Sequence, residues 1–379
     1  MKLEPSQRPN HRARRFSIVS LASALMLAAL APVALAGASP TPIKFDYLQI
    51  GSQCVYASAN PGSSVELVWR AAGGAVKLQE TQVTGEFGDL YYCSNNPSTV
   101  LAIGDRLRAT DGSIAHRLVI PELTINVNRV NDSLKGRGPA GATLRVECGG
   151  GPLPSFEPCM WRKLVIASSE GKWSKIVPWD VIGGSMFFVR WKSGSGDIVY
   201  AMAITPYVTV TLGQARFSGA TGAGRTANLT LADATTHAVK ASASVVGGPS
   251  GGTFSGKFRN MVGNGVAVSP GDELSADIAP DADMIVPDID ATASAASNIV
   301  SGRCFDTGRS DRLVFLHLFR GGEERGWSLE GTEADGTFAI DMSADGFRNP
   351  VNVKVGDRIL VQCMQTGGDW VQRNIVAGE

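Results

Sequence analysis

The segment that decides the fold opens with Ile285-Val286-Pro287-Asp288 and closes with Ile299-Val300-Ser301-Gly302. A proline, an alternating segment and a closing glycine recur in the same order at residues 121–136 and 206–219. The closing glycines are spaced by 85, 83 and 83 residues, at Gly51, Gly136, Gly219 and Gly302. A constant period with a proline at each seam predicts tandem copies of one module.

Further landmarks recur inside each period. A glycine turn leads into an alternating strand, as at residues 61–67. A Gly-x-aromatic triplet follows, and its ring is expected to fill the core. The copies are Gly85-Glu86-Phe87, Gly171-Lys172-Trp173, Gly336-Thr337-Phe338 and, in the third module, either Gly252-Thr253-Phe254 or Gly256-Lys257-Phe258. Gly-Asp then precedes another alternating strand at 104–105, 271–272 and 356–357, and Gly183-Gly184-Ser185 replaces it in the second module.

These landmarks leave room for about seven short strands in each period, the number found in a β-sandwich. The 44 glycines and 19 prolines fit the many turns that such a fold needs. We therefore predict an all-β chain of four tandem immunoglobulin-like β-sandwich modules, at residues 37–130, 131–213, 214–295 and 296–379.

The pattern resembles the bacterial immunoglobulin-like repeats of secreted surface proteins. The shared features are the seam proline, "VSG" at 300–302, "PGxxVxL" at 61–67, "DGxF" at 335–338 and "GD" before the last strands. The resemblance covers nearly all of the chain after the N-terminal segment. It implies a stalk, a spacer or a binding module, because such repeats serve all three purposes.

The N-terminal residues have the pattern of an export signal. Arg12, Arg14 and Arg15 are followed by an apolar run at 18–36, and Ala34-Leu35-Ala36 fits a cleavage site. We predict a cleaved signal peptide at 1–36 and a mature chain that is secreted or at the extracellular surface. The alternative is an uncleaved membrane anchor, because the apolar run is close to spanning length. Export by the general or the twin-arginine route stays open.

Removal of residues 1–36 changes the charge of the chain. The full sequence has 35 basic and 35 acidic residues, and the mature chain would have 30 and 34, a net charge of −4. Nothing in this balance indicates a nucleic-acid or anionic-membrane partner.

Six cysteines in an exported chain indicate disulfides. Two fall in each of three modules, so the expected pairs are Cys54–Cys93, Cys148–Cys159 and Cys304–Cys363. The third module has no cysteine and is expected to open first on heating. Without a CxxC motif or a Cys/His cluster, a zinc site is not expected.

Motifs for catalysis are weak. Residues 251–257 match a phosphate-binding loop, but Phe258 replaces the Ser or Thr that would hold magnesium, so we predict a glycine-rich turn. No serine lies in Gly-x-Ser-x-Gly. His116, His237 and His317 lie in different modules and are expected to be ordinary strand or surface residues. We therefore expect no enzyme activity and no required cofactor.

Two binding sites are candidates. Asp281, Asp283 and Asp288 lie in an acidic stretch near a module junction and could bind Ca²⁺, with a solvated acidic loop as the alternative. Trp179 and Trp191 are expected to be exposed in the tryptophan-rich second module, where they could stack on sugars, with a place in the core as the alternative.

The sequence favours an exported, non-enzymatic structural or adhesive protein of the bacterial cell surface or matrix. Its expected partners are other surface or matrix proteins or glycans, without nucleic acid and without a membrane span in the mature chain. The alternative is a carbohydrate-binding protein with its site on the second module.

Overall fold

Short strands with alternating burial make up most of residues 42–150, 161–304, 313–344 and 349–379, the ranges that the computed structural model describes. In the strand Ser64–Arg70, for example, Val65, Leu67 and Trp69 are all fully buried. This period of two is what a strand with one face on the core requires. The only helical element in these ranges is the 3₁₀ turn Thr366–Gly368. The predicted signal peptide lies outside the described residues.

The strands of these described ranges form four consecutive sets of seven. Set 1 contains β1 Lys44–Gln49, β2 Cys54–Ser58, β3 Ser64–Arg70, β4 Val76–Val83, β5 Asp89–Cys93, β6 Arg106–Thr110 and β7 Ala115–Val119. Set 2 contains β8 Thr124–Asn128, β9 Ser133–Arg137, β10 Thr143–Gly150, β11 Arg162–Ile166, β12 Lys172–Ile176, β13 Met186–Lys192 and β14 Ile198–Ile204.

Set 3 contains β15 Tyr207–Thr211, β16 Arg216–Ala220, β17 Thr226–Asp233, β18 Val239–Val246, β19 Thr253–Lys257, β20 Asp272–Ala276 and β21 Met284–Ile285. Set 4 contains β22 Ile289–Ser294, β23 Ile299–Cys304, β24 Leu313–Arg320, β25 Glu323–Gly331, β26 Thr337–Asp341, β27 Arg358–Met364 and β28 Trp370–Val376. Within every set the first, second and fifth strands pair in one group, and the fourth, third, sixth and seventh pair in another. The chain is therefore all-β, and one strand order recurs along it.

The strand pairing puts each seam at its proline. Pro121, Pro206 and Pro287 come shortly before β8, β15 and β22. The boundaries predicted at 131, 214 and 296 fall instead in turns between strands that pair with each other, β8 with β9, β15 with β16 and β22 with β23. The closing glycine does not end a set, because in three of the four periods it lies inside the second strand.

A close approach of neighbouring backbone explains why those three positions are glycine. A Cβ atom on Gly136 would lie 1.9 Å from the carbonyl oxygen of Thr124, and one on Gly219 would lie 2.2 Å from that of Tyr207. Across the second and fifth strands, Gly136 faces Trp173 and Gly219 faces Phe254. Each glycine therefore admits the aromatic ring of the Gly-x-aromatic triplet into the core.

Set 1 departs from this pattern. Gly51 lies in the turn before β2 with φ +90°, so its role is a left-handed turn and not a ring contact. The aromatic position is taken by Leu90, which faces Ala57. Phe87 is 90% exposed, so the prediction that it fills the core is wrong. Of the two triplets offered for set 3, the structure places Phe254 on the fifth strand.

The aspartate of each Gly-Asp landmark is buried and closes the turn before the sixth strand. Asp105, Asp272 and Asp357 each accept a hydrogen bond from the N–H three residues earlier, at 2.8–2.9 Å. Each also pairs with a cation of the same set, at 2.6–2.7 Å, from Lys77, Lys240 and Arg320 respectively. The fixed sequence spacing of Gly-Asp therefore reflects one recurring turn.

Sets 1 and 2 join edge to edge, and so do sets 3 and 4. β1 pairs in parallel with β14, and β15 pairs in parallel with β28, so each join makes one seven-stranded sheet. One buried hydrophobic cluster runs through sets 1 and 2 and another through sets 3 and 4. We call residues 42–204 the first half and 206–379 the second half. Each join also covers strand edges that would otherwise be open to other chains.

Two disulfides lie within the described residues. Cys54–Cys93 joins the paired strands β2 and β5, and Cys304–Cys363 joins β23 to β27 across the two sheets of set 4. Cys148 on β10 is disulfide-bonded, and Cys159, its predicted partner, lies outside the described residues. Within the described ranges we find no helix long and apolar enough to span a membrane.

Candidate functional site

Asp197 connects set 2 to set 1 through hydrogen bonds. It lies in the turn between β13 and β14 and is fully buried. Its Oδ1 accepts hydrogen bonds from the N–H of Phe45 at 3.0 Å and from His116 Nε2 at 2.7 Å, and both residues belong to set 1. Its Oδ2 accepts bonds from Ser193 and Ser195 of its own turn, at 2.9 and 2.6 Å. The carboxylate therefore fixes the position at which β1 meets β14.

Asp369 occupies the corresponding place in the second half. It lies in the turn before β28, and its Oδ1 accepts a hydrogen bond from the N–H of Val208 on β15 at 2.7 Å. Burial raises the pKa of its carboxyl, against the opposing effect of Arg129. The two halves thus use one device, an aspartate that follows a left-handed glycine, Gly196 or Gly368.

Arg129 joins the halves to each other. Its side chain is 1% exposed and extends from the turn between β8 and β9. Its guanidinium donates to Asp281 Oδ1 at 2.8 Å, to Asp369 Oδ2 at 3.1 Å and to the carbonyls of Pro206 and Gly367 at 2.9 Å each. Burial would lower the pKa of Arg129, but the attraction of Asp369 and Asp281 outweighs it and raises the pKa.

The serine, aspartate and histidine around Asp197 do not form a nucleophilic triad. A serine nucleophile needs the histidine as its base, with the aspartate behind it. Here both serines donate to the carboxylate instead. His237 and His317 each contact a glutamate, Glu273 and Glu324 respectively, at 2.9 Å.

The two predicted glycan-binding tryptophans are not freely exposed. Trp179 and Trp191 are half-buried and pack against the core of the first half. Trp179 also contacts Trp161 edge to face, with 5.7 Å between the ring centroids. The tryptophan-rich segment therefore contributes to packing, and the core covers part of both rings.

The three carboxylates suggested for Ca²⁺ are engaged separately. Asp281 pairs with Arg129, and Asp288 pairs with Arg373 at 3.2 Å. Asp283 accepts a hydrogen bond from the N–H of Ala276 at 3.2 Å. Within the described ranges no three His, Cys, Asp or Glu side chains converge in a way that could hold a metal ion.

The segment that matches a phosphate-binding loop is a turn that leads into a strand. Gly251 and Gly252 have φ of +71° and +75°, and β19 follows directly. A Cβ atom on Gly251 would lie 2.9 Å from Ile204 of the first half. The loop therefore contacts the first half, and it has no helix N-terminus to bind a phosphate.

A row of aromatic rings crosses the outward side of the first seven-stranded sheet. Tyr47, Tyr56 and Tyr91 occupy paired positions on β1, β2 and β5 and are 42%, 40% and 50% exposed. Tyr200 on β14 and Phe188 on β13 continue the row, with ring centroids 4.3 Å from Tyr47 to Tyr200 and 5.9 Å from Tyr200 to Phe188. We call these five residues the tyrosine face. Five strands about 4.8 Å apart give it a length of about 19 Å. Tyr200 is buried, so the exposed rings are those of Tyr47, Tyr56 and Tyr91.

Its ring positions are fixed by neighbours on both sides. The Tyr200 hydroxyl donates to Gln49 Oε1 at 2.9 Å, and burial raises its pKa. The guanidinium of Arg190 lies 5.7 Å from the centre of the Tyr47 ring. Rigid amphipathic rings bind partners at low entropic cost, which is why tyrosine is enriched in protein interfaces.

One signal in the sequence could have revealed the paired arrangement. Gly-Asp also occurs just before the seventh strand, at Gly196-Asp197 and Gly368-Asp369, but only in alternate sets. This spacing marks a unit of two sets. The register that aligns the tyrosines had no such signal, because it depends on pairing between distant strands.

No protein-family model matches the chain, and no curated protein sequence matches it. Solved structures with some likeness include a tetra-tandem repeat from the extending region of a large adhesion protein, at 13% identity over 90% of this chain and 100% of that one, with a TM-score of 0.18. Another is the BSP domain of a biofilm-associated protein, at 9% identity over 90% and 96%, with a TM-score of 0.18. The FN1–FN3 domains of chicken CNTN1 match at 9% identity over 90% and 99%, with a TM-score of 0.21. Because these TM-scores are low, we derive the function from the chain's own geometry.

Proposed function

We propose that this chain is an exported, non-enzymatic structural or adhesive protein of the bacterial cell surface or matrix, built from four immunoglobulin-like sandwich modules. The observation that carries the proposal is the tyrosine face on a seven-stranded sheet shared by two modules. The face is held rigid by the join at Asp197, and it offers exposed rings for partner proteins or glycans. Buried ion pairs and disulfides suit a protein that must persist outside the cell.

Substitution of the exposed tyrosines tests this proposal. The triple variant Tyr47→Ser, Tyr56→Ser, Tyr91→Ser should lose most retention on the surface or matrix of its own cells, measured with labelled full chain added to cells that lack it. A control variant replaces three large side chains elsewhere that are more exposed than the tyrosines, Phe87→Ser, Ile176→Ser and Val246→Ser. Retention of the tyrosine variant at the control level would exclude this face, and recovery of the native chain only from the cytoplasm would exclude export.

Carbohydrate binding is the second candidate function, and the same face favours it. Tyrosine rings can stack on the apolar faces of sugars, and the row runs from set 2 into set 1. Glycan-array binding by the intact chain should then depend on Tyr47 and Tyr56. Alanine at Trp179 or Trp191 should lower stability and leave the glycan profile unchanged. If Trp191→Ala keeps its full stability but loses binding to a glycan, the sugar-binding site lies on the second module and not on the tyrosine face.

A further inference from the structure

The outward side of the second seven-stranded sheet contains a trough with two different ends. Two adjoining hollows of about 730 and 420 Å³ share Ser218 and Gln372 in their linings. One end is apolar and lined by Tyr207, Phe315, Leu329 and Trp370. The other end is lined by Arg216, Lys257, Arg259 and Arg358, and we call it the basic trough.

No described residue balances the charges of the basic trough. None of its described lining residues is acidic. Arg216 and Lys257 are exposed and lie directly opposite each other on β16 and β19. Like charges at facing positions destabilise a sheet. Neither side chain forms an ion pair within the part of the chain that the structure describes, so an external anion would relieve the repulsion.

The floor of the trough is a fixed row of amides. Gln362 Nε2 donates to Gln372 Oε1, and Gln372 Nε2 donates to Thr211 Oγ1, at 2.7 Å each. Arg358 donates to Asn374 Oδ1 at 2.7 Å, and its guanidinium lies 4.1 Å from the centre of the Phe319 ring. Amides exchange hydrogen bonds with hydroxyls in either direction, and a guanidinium matches a carboxylate with two parallel bonds.

We propose that the basic trough binds a carboxylate-bearing polysaccharide. Its carboxylates contact Arg216, Lys257 and Arg358, and its sugar hydroxyls contact the amide row toward Trp370. A nucleic acid fits less well, because the basic residues occupy one end of the trough. The remaining phosphates of a long strand would pass over a chain whose predicted mature charge is negative. All lining residues of the basic trough belong to the second half, so this proposal is independent of the tyrosine face.

Binding of polygalacturonate by the full chain tests the proposal, with fully methyl-esterified polygalacturonate as the uncharged comparison. The native chain should bind the acid form at least about tenfold more tightly than the ester. The double variant Arg216→Ser, Lys257→Ser should weaken binding to the acid form at least about tenfold, about 1.4 kcal/mol. Removal of two exposed lysines of the first half, Lys163→Ser and Lys192→Ser, changes the net charge equally and should leave the affinity unchanged.

Stability and affinity should change in opposite directions in a second variant, which a purely structural role of Lys257 does not predict. Lys257→Glu replaces the facing like charges with a facing ion pair, so its melting temperature should rise while its affinity for polygalacturonate falls at least about tenfold. The tyrosine triple variant should bind polygalacturonate as the native chain does. Equal binding of acid and ester, an equal loss in the lysine control, or tighter binding of single-stranded DNA at the same salt concentration would overturn the proposal.

Discussion

Three buried charged side chains fix how the sets meet, and hydrophobic contact alone could not do this. Apolar surfaces can slide past each other at little cost, whereas a hydrogen bond to one N–H specifies one position. Asp197 accepts a hydrogen bond from the N–H of Phe45, and Asp369 accepts one from the N–H of Val208. A buried ion is tolerated only when several groups satisfy it, which both aspartates and Arg129 achieve.

Arg129 should be the most sensitive single residue of the junction. Arg129→Met keeps the length of the side chain but leaves Asp369 buried without its cation. The free energy of unfolding of the second half should fall by about 3–5 kcal/mol, as measured by urea denaturation. Addition of Asp369→Asn should recover part of this loss, because the uncompensated charge is removed while the Oδ1 acceptor remains. A loss below about 1 kcal/mol in the single variant would mean that the pair contributes little.

The contribution of Asp197 should depend on pH. Burial alone would raise the pKa of its carboxyl, but the hydrogen bonds from Ser195, the Phe45 N–H and Ser193 outweigh burial and lower the pKa. A lowered folded-state pKa stabilises the fold above the unfolded-state value of about 3.9, and this contribution is lost as the pH falls through the folded-state pKa.

Thermal unfolding of Asp197→Asn across pH should show this directly. Its melting temperature should lie below that of the native chain from pH 8 to about pH 5, and the gap should narrow below about pH 4. Asp290→Asn changes an exposed aspartate of the second half and should follow the native curve throughout. A gap that stays constant to pH 2 would show that the charge of Asp197 does not stabilise the fold.

At the scale of the strands, the glycines of the second strand are required by their neighbours. Gly136→Ala puts a methyl group 1.9 Å from the Thr124 carbonyl oxygen and 2.8 Å from the Trp173 ring. β8 or β12 must move, so the free energy of unfolding should fall by about 1–3 kcal/mol. The control is Gly194→Ala, in an exposed turn where a Cβ atom meets nothing within 4 Å. Equal stability of the two variants would show that set 2 can widen at β9 without cost.

The strands and turns could be predicted because each depends on residues close together in the sequence. The candidate binding surfaces could not, because they depend on pairing between distant strands. Pro121, the Gly-Asp turn at Asp105 and the alternation in Val65–Leu67 each express a short-range requirement, so they could be interpreted from the sequence. The prediction for Phe87 was wrong because two glycines, Gly85 and Gly88, precede β5. The strand begins directly after Gly88, so the core position falls on Leu90 and not on Phe87. The tyrosine face and the basic trough depend on register between strands far apart in the chain, which residue types do not encode locally.

At the scale of the whole molecule, the described chain is organised as two halves. Sets 1 and 2 share one large hydrophobic cluster and sets 3 and 4 share another, while Ile182, Leu313 and Met364 form a small third cluster between the halves. Calorimetry should therefore show two unfolding transitions. Separate fragments 42–204 and 206–379 should each melt cooperatively, whereas protease cuts near residues 131, 214 and 296 should leave fragments that stay associated. Four resolved transitions would mean that each set unfolds alone, as the sequence by itself suggests.

The disulfide of set 4 gives the sharpest test of the shared core. Set 3 has no cysteine, so the sequence alone predicts that it opens first on heating. It also predicts that reduction of the disulfides leaves the melting temperature of set 3 unchanged. The structure leads to the opposite expectation, because Val208 and Leu229 of set 3 lie in one buried cluster with Cys304 and Cys363. The loop-entropy estimate for a bridge with a sequence separation of 59 residues is about 4 kcal/mol.

Hydrogen exchange of the variant Cys304→Ser, Cys363→Ser should separate these two views. If the second half unfolds as one unit, the amides of β17 should lose protection by the same free energy as those of β24. The amides of β3 in the first half should keep theirs, and the variant Cys54→Ser, Cys93→Ser should reverse the pattern. Unchanged protection of β17 alongside a loss in β24 would show that set 3 opens independently, and the parallel pairing of β15 with β28 would then be too weak to couple the two sets.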